Sequence, residues 1–367
     1  IPEESPVFRT RALNDLEIYE DLLGYYVNFI QDGRFDLVIP LIELLKDKAE
    51  LHKFIDDFGG AVELYRKSVS MQLNLKENAK RPDGKFRLAN SFRLLANAYN
   101  SRRDYEQAIK CCDTALSILD KKPAASELEQ QDPLRAHTFI DKGISYYYLN
   151  EYTKALECYD KAQSAFQTAS KYDDSAGRIE MQSWILRSKA NSYRAIRDYE
   201  KAESALKEAF ELHDNTSTAD LSQRLLRDKA CLYMNLANLY SRMGIPEKCL
   251  ESHERSIEIK EKLLAYGGWE LMAADISVDY MNKAVSLQYL QRNDEALELI
   301  DKALAMKEEV VVYFGRNDLE NELSWLYLNK SVILFKLGKY DEALECIGRA
   351  AEIKERLCKI KGKSEIA

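Results

Sequence analysis

The chain is poor in the residues and spacings from which most catalytic sites are built. Its four histidines, His52, His137, His213 and His253, lie too far apart for any two to share a helical turn, so no His-Glu-x-x-His zinc pair is present. There is no paired Cys-x-x-Cys and no serine on a glycine elbow. Gly59-Gly60 and Gly267-Gly268 lack the lysine or acidic partner that a phosphate-cradling loop needs. The 61 acidic side chains offer no reason to single out a pair. These absences speak against an enzyme, a metal and a cofactor, and they leave His52 and His253 as packing histidines. Also missing is an apolar run near the roughly 18 residues that span a bilayer, or an apolar leader. The formal net charge of −8 removes any general attraction to nucleic acid or anionic lipid. The expectation is a cytoplasmic protein with neither nucleic acid nor membrane among its partners. The seven cysteines are odd in number and scattered, as in a reducing compartment, and most read as small core residues.

What is present is periodicity. Stepping back by 47 from Ala343 meets Ala296, Cys249, Ala202, Ala155, Ala108 and Ala61. Seven residues later run Ser68, Ala115, Ala162, Ala209, Ser256, Ala303 and Ala350, and twelve residues earlier Ala49, Ala96, Gly143, Ala190, Ala237, Ala284 and Ser331. All are small. Four residues before that last series stands a large residue each time: Leu45, Phe92, Phe139, Leu186, Tyr233, Tyr280 and Tyr327. Small residues let helix backbones close up while large ones fill the wedge between neighbours, so each unit predicts a helical hairpin. Gly244 and Gly338 fall where the first helix must stop. An aromatic then precedes the second helix (Phe58, Tyr105, Tyr152, Tyr199, Tyr340), with Pro246 and Asn293 as exceptions.

This pattern resembles the tetratricopeptide repeat family over residues 37–358, in the manner of kinesin-light-chain or bacterial signalling arrays. The resemblance implies an all-α, right-handed superhelical solenoid of seven hairpins. Residues 1–36 would supply an N-terminal cap helix and 359–367 a polar tail. Two departures stand out. The family's unit is about 34 residues and ends in proline; here Leu73, Asp120, Gln167, Asp214, Glu261, Glu308 and Glu355 hold that place, so the second helix is free to run on. Lysine also stands where leucine is usual, at Lys48, Lys142, Lys189, Lys283 and Lys330, and reads as a stem covering apolar surface with its charge in water. The stretches 121–133, 168–177, 213–220, 265–276 and 313–318 read as junctions between units.

The resemblance further implies that first helices line a concave groove. Asn235, Asn282 and Asn329 share one place in three successive first helices, and Asn97, Asn191 and Asn238 share another. An asparagine amide donates and accepts together, matching an extended peptide backbone, although solvated helix faces also carry asparagine. Arg93, Arg187, Arg194 and Arg242 would pair with acidic groups of a ligand. Trp184 and Trp325 recur at one place and read either as anchors or as packing residues. The leading expectation is a scaffold that binds a protein or peptide, with self-association through the end repeats as a further possibility. The alternative is a sensory region of a larger bacterial signalling protein that controls an attached effector domain.

Overall fold

The computed structural model describes residues 5–55, 57–75, 84–120, 128–168, 175–214, 223–264, 269–313 and 319–364. Among the described residues every regular element is helical. The chain divides into two compact units, Val7–Arg197 and Asp198–Ala367.

The first unit opens with α1 (Ser5–Gln31) and a 3-10 turn (Phe35–Leu37). Three hairpins follow: α2 (Val38–Phe54) with α3 (Phe58–Asn74), α4 (Gly84–Ser101) with α5 (Tyr105–Leu119), and α6 (Leu128–Tyr148) with α7 (Tyr152–Thr168). It ends with α8 (Ser175–Ala195). The second unit begins with α9 (Tyr199–Asp214) and holds α10 (Gln223–Met243) with α11 (Pro246–Leu264), α12 (Trp269–Tyr289) with α13 (Asn293–Tyr313), and α14 (Glu320–Lys336) with α15 (Tyr340–Ser364). From α2 onward, consecutive helices pack on one another within each unit.

The 47-residue register marks the same structural place each time. All seven residues of the Ala61-to-Ala343 series are buried, as are all seven from Ser68 to Ala350. At Gly143 the ring of Tyr159 comes so close that an added Cβ would sit 2.5 Å from it, which explains glycine where the other units carry alanine or serine. At six turns a residue just past the preceding helix has a left-handed backbone: Arg103, Asn150, Arg197, Gly244, Gln291 and Gly338, all with φ between 61° and 74°. A pair of hydrogen bonds closes the turn, as in Gly338 N–H to Phe335 O (3.1 Å) and Lys339 N–H to Leu334 O (3.0 Å). Only two of these six positions are glycine, so the turn is imposed by hairpin packing where local preference does not supply it. The aromatics expected just before the second helix are its first residues, and Pro246 fills that place in α11, where no amide hydrogen is needed.

Several expected boundaries shift. The helices reach into the polar junctions, with α6 starting at Leu128 and α8 at Ser175, while 121–127, 169–174, 215–222, 265–268 and 314–318 lie outside the described residues. Pro133 falls within α6. With no proline to stop them, α11, α13 and α15 continue past Glu261, Glu308 and Glu355, and α15 extends to Ser364 through residues read as tail. The helix read as a cap half-buries Leu16, Tyr19, Leu23, Tyr26 and Ile30 and leaves Ile18, Leu22, Tyr25 and Phe29 exposed on another face.

The recurring lysines are not simply hydrated. Lys142, Lys189, Lys283 and Lys330 each reach a carboxylate at one constant place on the second helix of the preceding hairpin: Asp113 (2.6 Å), Asp160 (2.7 Å), Glu254 (2.8 Å) and Asp301 (2.8 Å). Lys48 makes a comparable pair with Glu20 of α1.

Nothing lies within 4 Å of a Cβ built on Gly338, so Gly338→Ala is expected to cost about 1 kcal/mol through backbone strain alone. Gln291→Gly should recover a similar amount, about 1 kcal/mol less the entropy that glycine adds to the unfolded chain. Urea denaturation midpoints moving in opposite directions for the two variants would check this.

Candidate functional site

The first helices carry the candidate residues, and the two units treat them differently. In the first unit they form an internal polar ladder. Lys53 Nζ on α2 donates to Asn97 Oδ1 on α4 (2.9 Å), and Asn97 Nδ2 donates to Asp141 Oδ1 on α6 (3.3 Å). Arg93 donates to Asp141 Oδ2 (3.3 Å), and Asn100 Nδ2 to the Asp141 carbonyl (2.9 Å). Lys53, Asn97 and Asp141 follow one another at an even interval, the offset that places residues of adjacent first helices side by side. Arg93 and Asn97, expected to meet a ligand, therefore already hold Asp141. Further along, Arg194 donates to Asn191 Oδ1 (3.1 Å), and Arg187 is half-buried on α8. Trp184 meets Tyr159 edge to face at 6.2 Å and packs with Ile140 and Ile185, a core role.

In the second unit Asn235, Asn282 and Asn329 lie half-buried at matching places on α10, α12 and α14. Asn235 and Asn329 turn their amide N–H onto the carbonyl one turn earlier in their own helices, Cys231 (2.7 Å) and Trp325 (2.9 Å). Their side chains thus spend a donor locally and present chiefly an acceptor oxygen, where the sequence suggested both. Asn282 has no side-chain partner among the described residues. Asn238 is half-buried and Arg242 exposed near the end of α10.

Trp325 is 52 % exposed, one turn before Asn329, with Lys354 Nζ 5.1 Å from its ring centroid. It borders a cavity of about 240 Å³ between α12 and α14, together with Val278, Met281, Leu326, Lys307 and Glu322. Lys307 is buried and bonds Glu322 at 2.7 Å, which closes the cavity floor with a neutralised charge. Trp184 and Trp325, equivalent by register, thus have opposite surroundings. Tyr159 covers the first, whereas among the described residues no aromatic ring covers the second. The register did not reveal the cavity, because it forms only where α12 and α14 come together. Among the described residues no helix is long and apolar enough to cross a membrane.

Comparison with known proteins agrees with this architecture. Family models described as tetratricopeptide repeat match residues 91–125, 280–314 and 326–356. The chain thus carries tetratricopeptide repeats in an all-α architecture, and repeats of this kind build protein-interaction scaffolds. Among solved structures it is similar to BtubC (BKLC) from P. vanneervenii, at 19% identity and TM-score 0.51, over 73% of this chain and 94% of that one. A tetratricopeptide repeat protein from Parabacteroides merdae aligns at 14% identity and TM-score 0.47, over 85% and 93% of the two chains. Kinesin-light-chain-like repeats from Podosopora anserina align at 18% identity and TM-score 0.44, over 63% and 98%. No curated protein matches the sequence.

Asp141 gives the ladder a pH signature. Burial lifts its carboxyl above the ordinary range, against the pull of Arg93 and Asn97. With the folded pKa above the unfolded one, stability present below the unfolded pKa is lost as pH rises through the folded pKa. Asp141→Asn, which mimics the protonated acid, should therefore raise the melting temperature at pH 7 relative to wild type. The advantage should shrink on acidification through the carboxylate range, as thermal melts across pH will show.

Proposed function

We propose that this chain binds an extended peptide segment of a protein partner along the first-helix face of its second unit. The observation that carries the reading is the half-exposed Trp325 beside the cavity it shares with Val278 and Met281, close to Asn282 and Asn329. Aromatic anchors set in apolar pockets dominate most recognition surfaces, and the cavity is of a size to take one apolar side chain. The asparagines add backbone reading. Because Asn235 and Asn329 commit an N–H to their own helices, their oxygens suit the N–H groups of the bound segment, and Asn282 supplies both donor and acceptor. Exposed Arg242, further along α10, favours an acidic group on the ligand. Arg93, Asn97, Asn191 and Arg194 play a supporting part, since their groups already bind one another or Asp141.

A displayed library of random peptides selected on the intact protein tests this, with affinities measured by calorimetry. Trp325→Ala is expected to weaken selected peptides by about 2 kcal/mol, as truncation of a central anchor does. The pair Asn282→Ala, Asn329→Ala should cost about 1 to 3 kcal/mol for its lost hydrogen bonds. Arg93→Ala should leave affinity unchanged. Selected peptides that bind the triple variant at Trp325, Asn282 and Asn329 as tightly as wild type would overturn the assignment.

A further inference from the structure

Where two successive hairpins of the second unit meet, at α11 and α12, three polar groups stand where the neighbouring units carry apolar ones. Cys249 occupies the place of Ala202 and Ala296, His253 that of Leu206 and Ile300, and Asp279 that of Leu232 and Leu326. All three are almost fully enclosed, at 1 %, 2 % and 0 % exposure. A buried ionic cluster is at best neutral for stability against well-packed apolar residues, and the adjoining hairpins show that this register accepts leucine and alanine. Packing therefore does not explain Cys249 and His253, whereas Asp279 also neutralises the buried Lys260.

Their geometry suggests a nucleophile. His253 follows Cys249 by one helical turn on α11, which brings its imidazole to the same side of the helix as the thiol. On the other side, His253 Nδ1 lies 3.5 Å from Asp279 Oδ1 of α12. Asp279 Oδ2 accepts from Lys260 Nζ and Ser256 Oγ, both at 2.7 Å, which holds the carboxylate ionised and fixed. Ser286 Oγ stands 3.2 Å from the Cys249 sulfur. Burial alone would push this thiol up, but His253 and Ser286 outweigh it and hold the thiol below its ordinary value. The thiols of Cys111 and Cys158, which lack such partners, are pushed up to about 11 by burial. The imidazole of His253 is raised despite its burial, through Asp279 and Cys249. Cys249 also lines a cavity of about 370 Å³ formed by the α10–α11 turn at Gly244, Ile245 and Pro246 with Ser286 and Tyr289 of α12.

We propose that Cys249 is a peroxide-reactive thiol, with His253 as its proton carrier, Asp279 as the residue that positions and charges His253, and the cavity as the entry for a small hydroperoxide. The nearly enclosed sulfur favours a reagent little larger than water. The thiol proton resides on His253. The thiolate attacks the terminal peroxide oxygen, forming an S–O bond as the O–O bond breaks. The departing alkoxide or hydroxide takes the proton from His253 and leaves as an alcohol or water. Cysteine is oxidised to sulfenic acid and the peroxide is reduced. The new oxygen arrives at a place where the other described hairpins hold alanine, so oxidation loosens the packing of α11 on its neighbours. This inference does not rest on the peptide-binding reading.

The test treats the intact protein with substoichiometric hydrogen peroxide at neutral pH for timed intervals, stops the reaction with catalase, unfolds the protein in denaturant containing dimedone, and maps adducts by mass spectrometry. Cys249 is expected to be trapped at least about tenfold faster than the exposed Cys358, because thiolate fraction outweighs access when the reagent is this small. His253→Leu restores the residue type of the neighbouring hairpins, so it should keep the wild-type helicity and unfolding transition while slowing Cys249 trapping about tenfold. The pH dependence of wild-type trapping is independent of any variant. It should stay flat well below the ordinary thiol range of about 8 to 9. Cys249 reacting no faster than Cys358, a folded His253→Leu protein reacting at the wild-type rate, or a wild-type profile that rises only near the ordinary thiol range would each overturn the proposal.

Discussion

The close approach of helix backbones at the small-residue positions is the constraint on which everything else in this chain depends. At Ala61, Ala108, Ala155, Ala202, Ala296 and Ala303 no side-chain surface is left exposed, and at Gly143 even a methyl group would meet the Tyr159 ring. Interiors packed as densely as organic crystals give such positions no room for a larger residue. Because each contact recurs at the same interval along the chain, one packing solution is reused, and the turn between helices must close in the same way each time. That is why Arg103, Asn150 and Gln291 accept the left-handed backbone that glycine takes at Gly244 and Gly338. A cost of order 1 kcal/mol at each turn is smaller than the cost of disturbing a buried seam.

The seam holds helices together within a hairpin, and charge helps to set the register between hairpins. The pairs Lys142–Asp113, Lys189–Asp160, Lys283–Glu254 and Lys330–Asp301 all share one offset in sequence, with each lysine stem largely covered. A single pair of this kind contributes less than about 1 kcal/mol. Repeated at one offset, the pairs favour a single stacking over a slipped one, since a slip would leave several lysines without their carboxylates. A second, shorter offset joins the end of a second helix to the next first helix. It recurs in His213–Asp228, Lys229–Asp214 and Lys307–Glu322.

Much of the fold was legible because periodicity survives in sequence. The small and large series, the glycine turns at Gly244 and Gly338 and the start of α11 at Pro246 could all be read from spacing. The four non-glycine left-handed turns could not, since arginine, asparagine and glutamine carry no strong local signal for that backbone. Nor could the lysine partners, because a charge in water and a charge on a carboxylate of the preceding hairpin look alike in one dimension. The site was less legible still. Asn97 and Asn235 differ in what surrounds them, Asp141 for one and the carbonyl of Cys231 for the other, and spacing does not carry that difference. The one-turn spacing of Cys249 and His253 was visible, but its meaning depends on Asp279, which lies on the next helix.

Recurrence separates structural polar groups from functional ones in such an array. A pair that returns at a fixed offset around a buried group, such as His213–Asp228 and then Lys307–Glu322, belongs to the stacking and would be expected in any chain built on the same plan. A buried polar group that appears once, where the adjoining units hold leucine or alanine, has no stacking role to account for it. Cys249 and His253 satisfy that criterion together, with Asp279 serving both His253 and the recurring buried cation at Lys260. For a surface the criterion inverts, because a groove reads a repeating backbone with repeating groups. Asn235, Asn282 and Asn329 recur on one face without joining the core, and Trp325 interrupts them as a large exposed ring. In the proposed binding mode, repetition on the face would suit the uniform backbone of an extended partner, and the one departure from it would supply the side-chain choice.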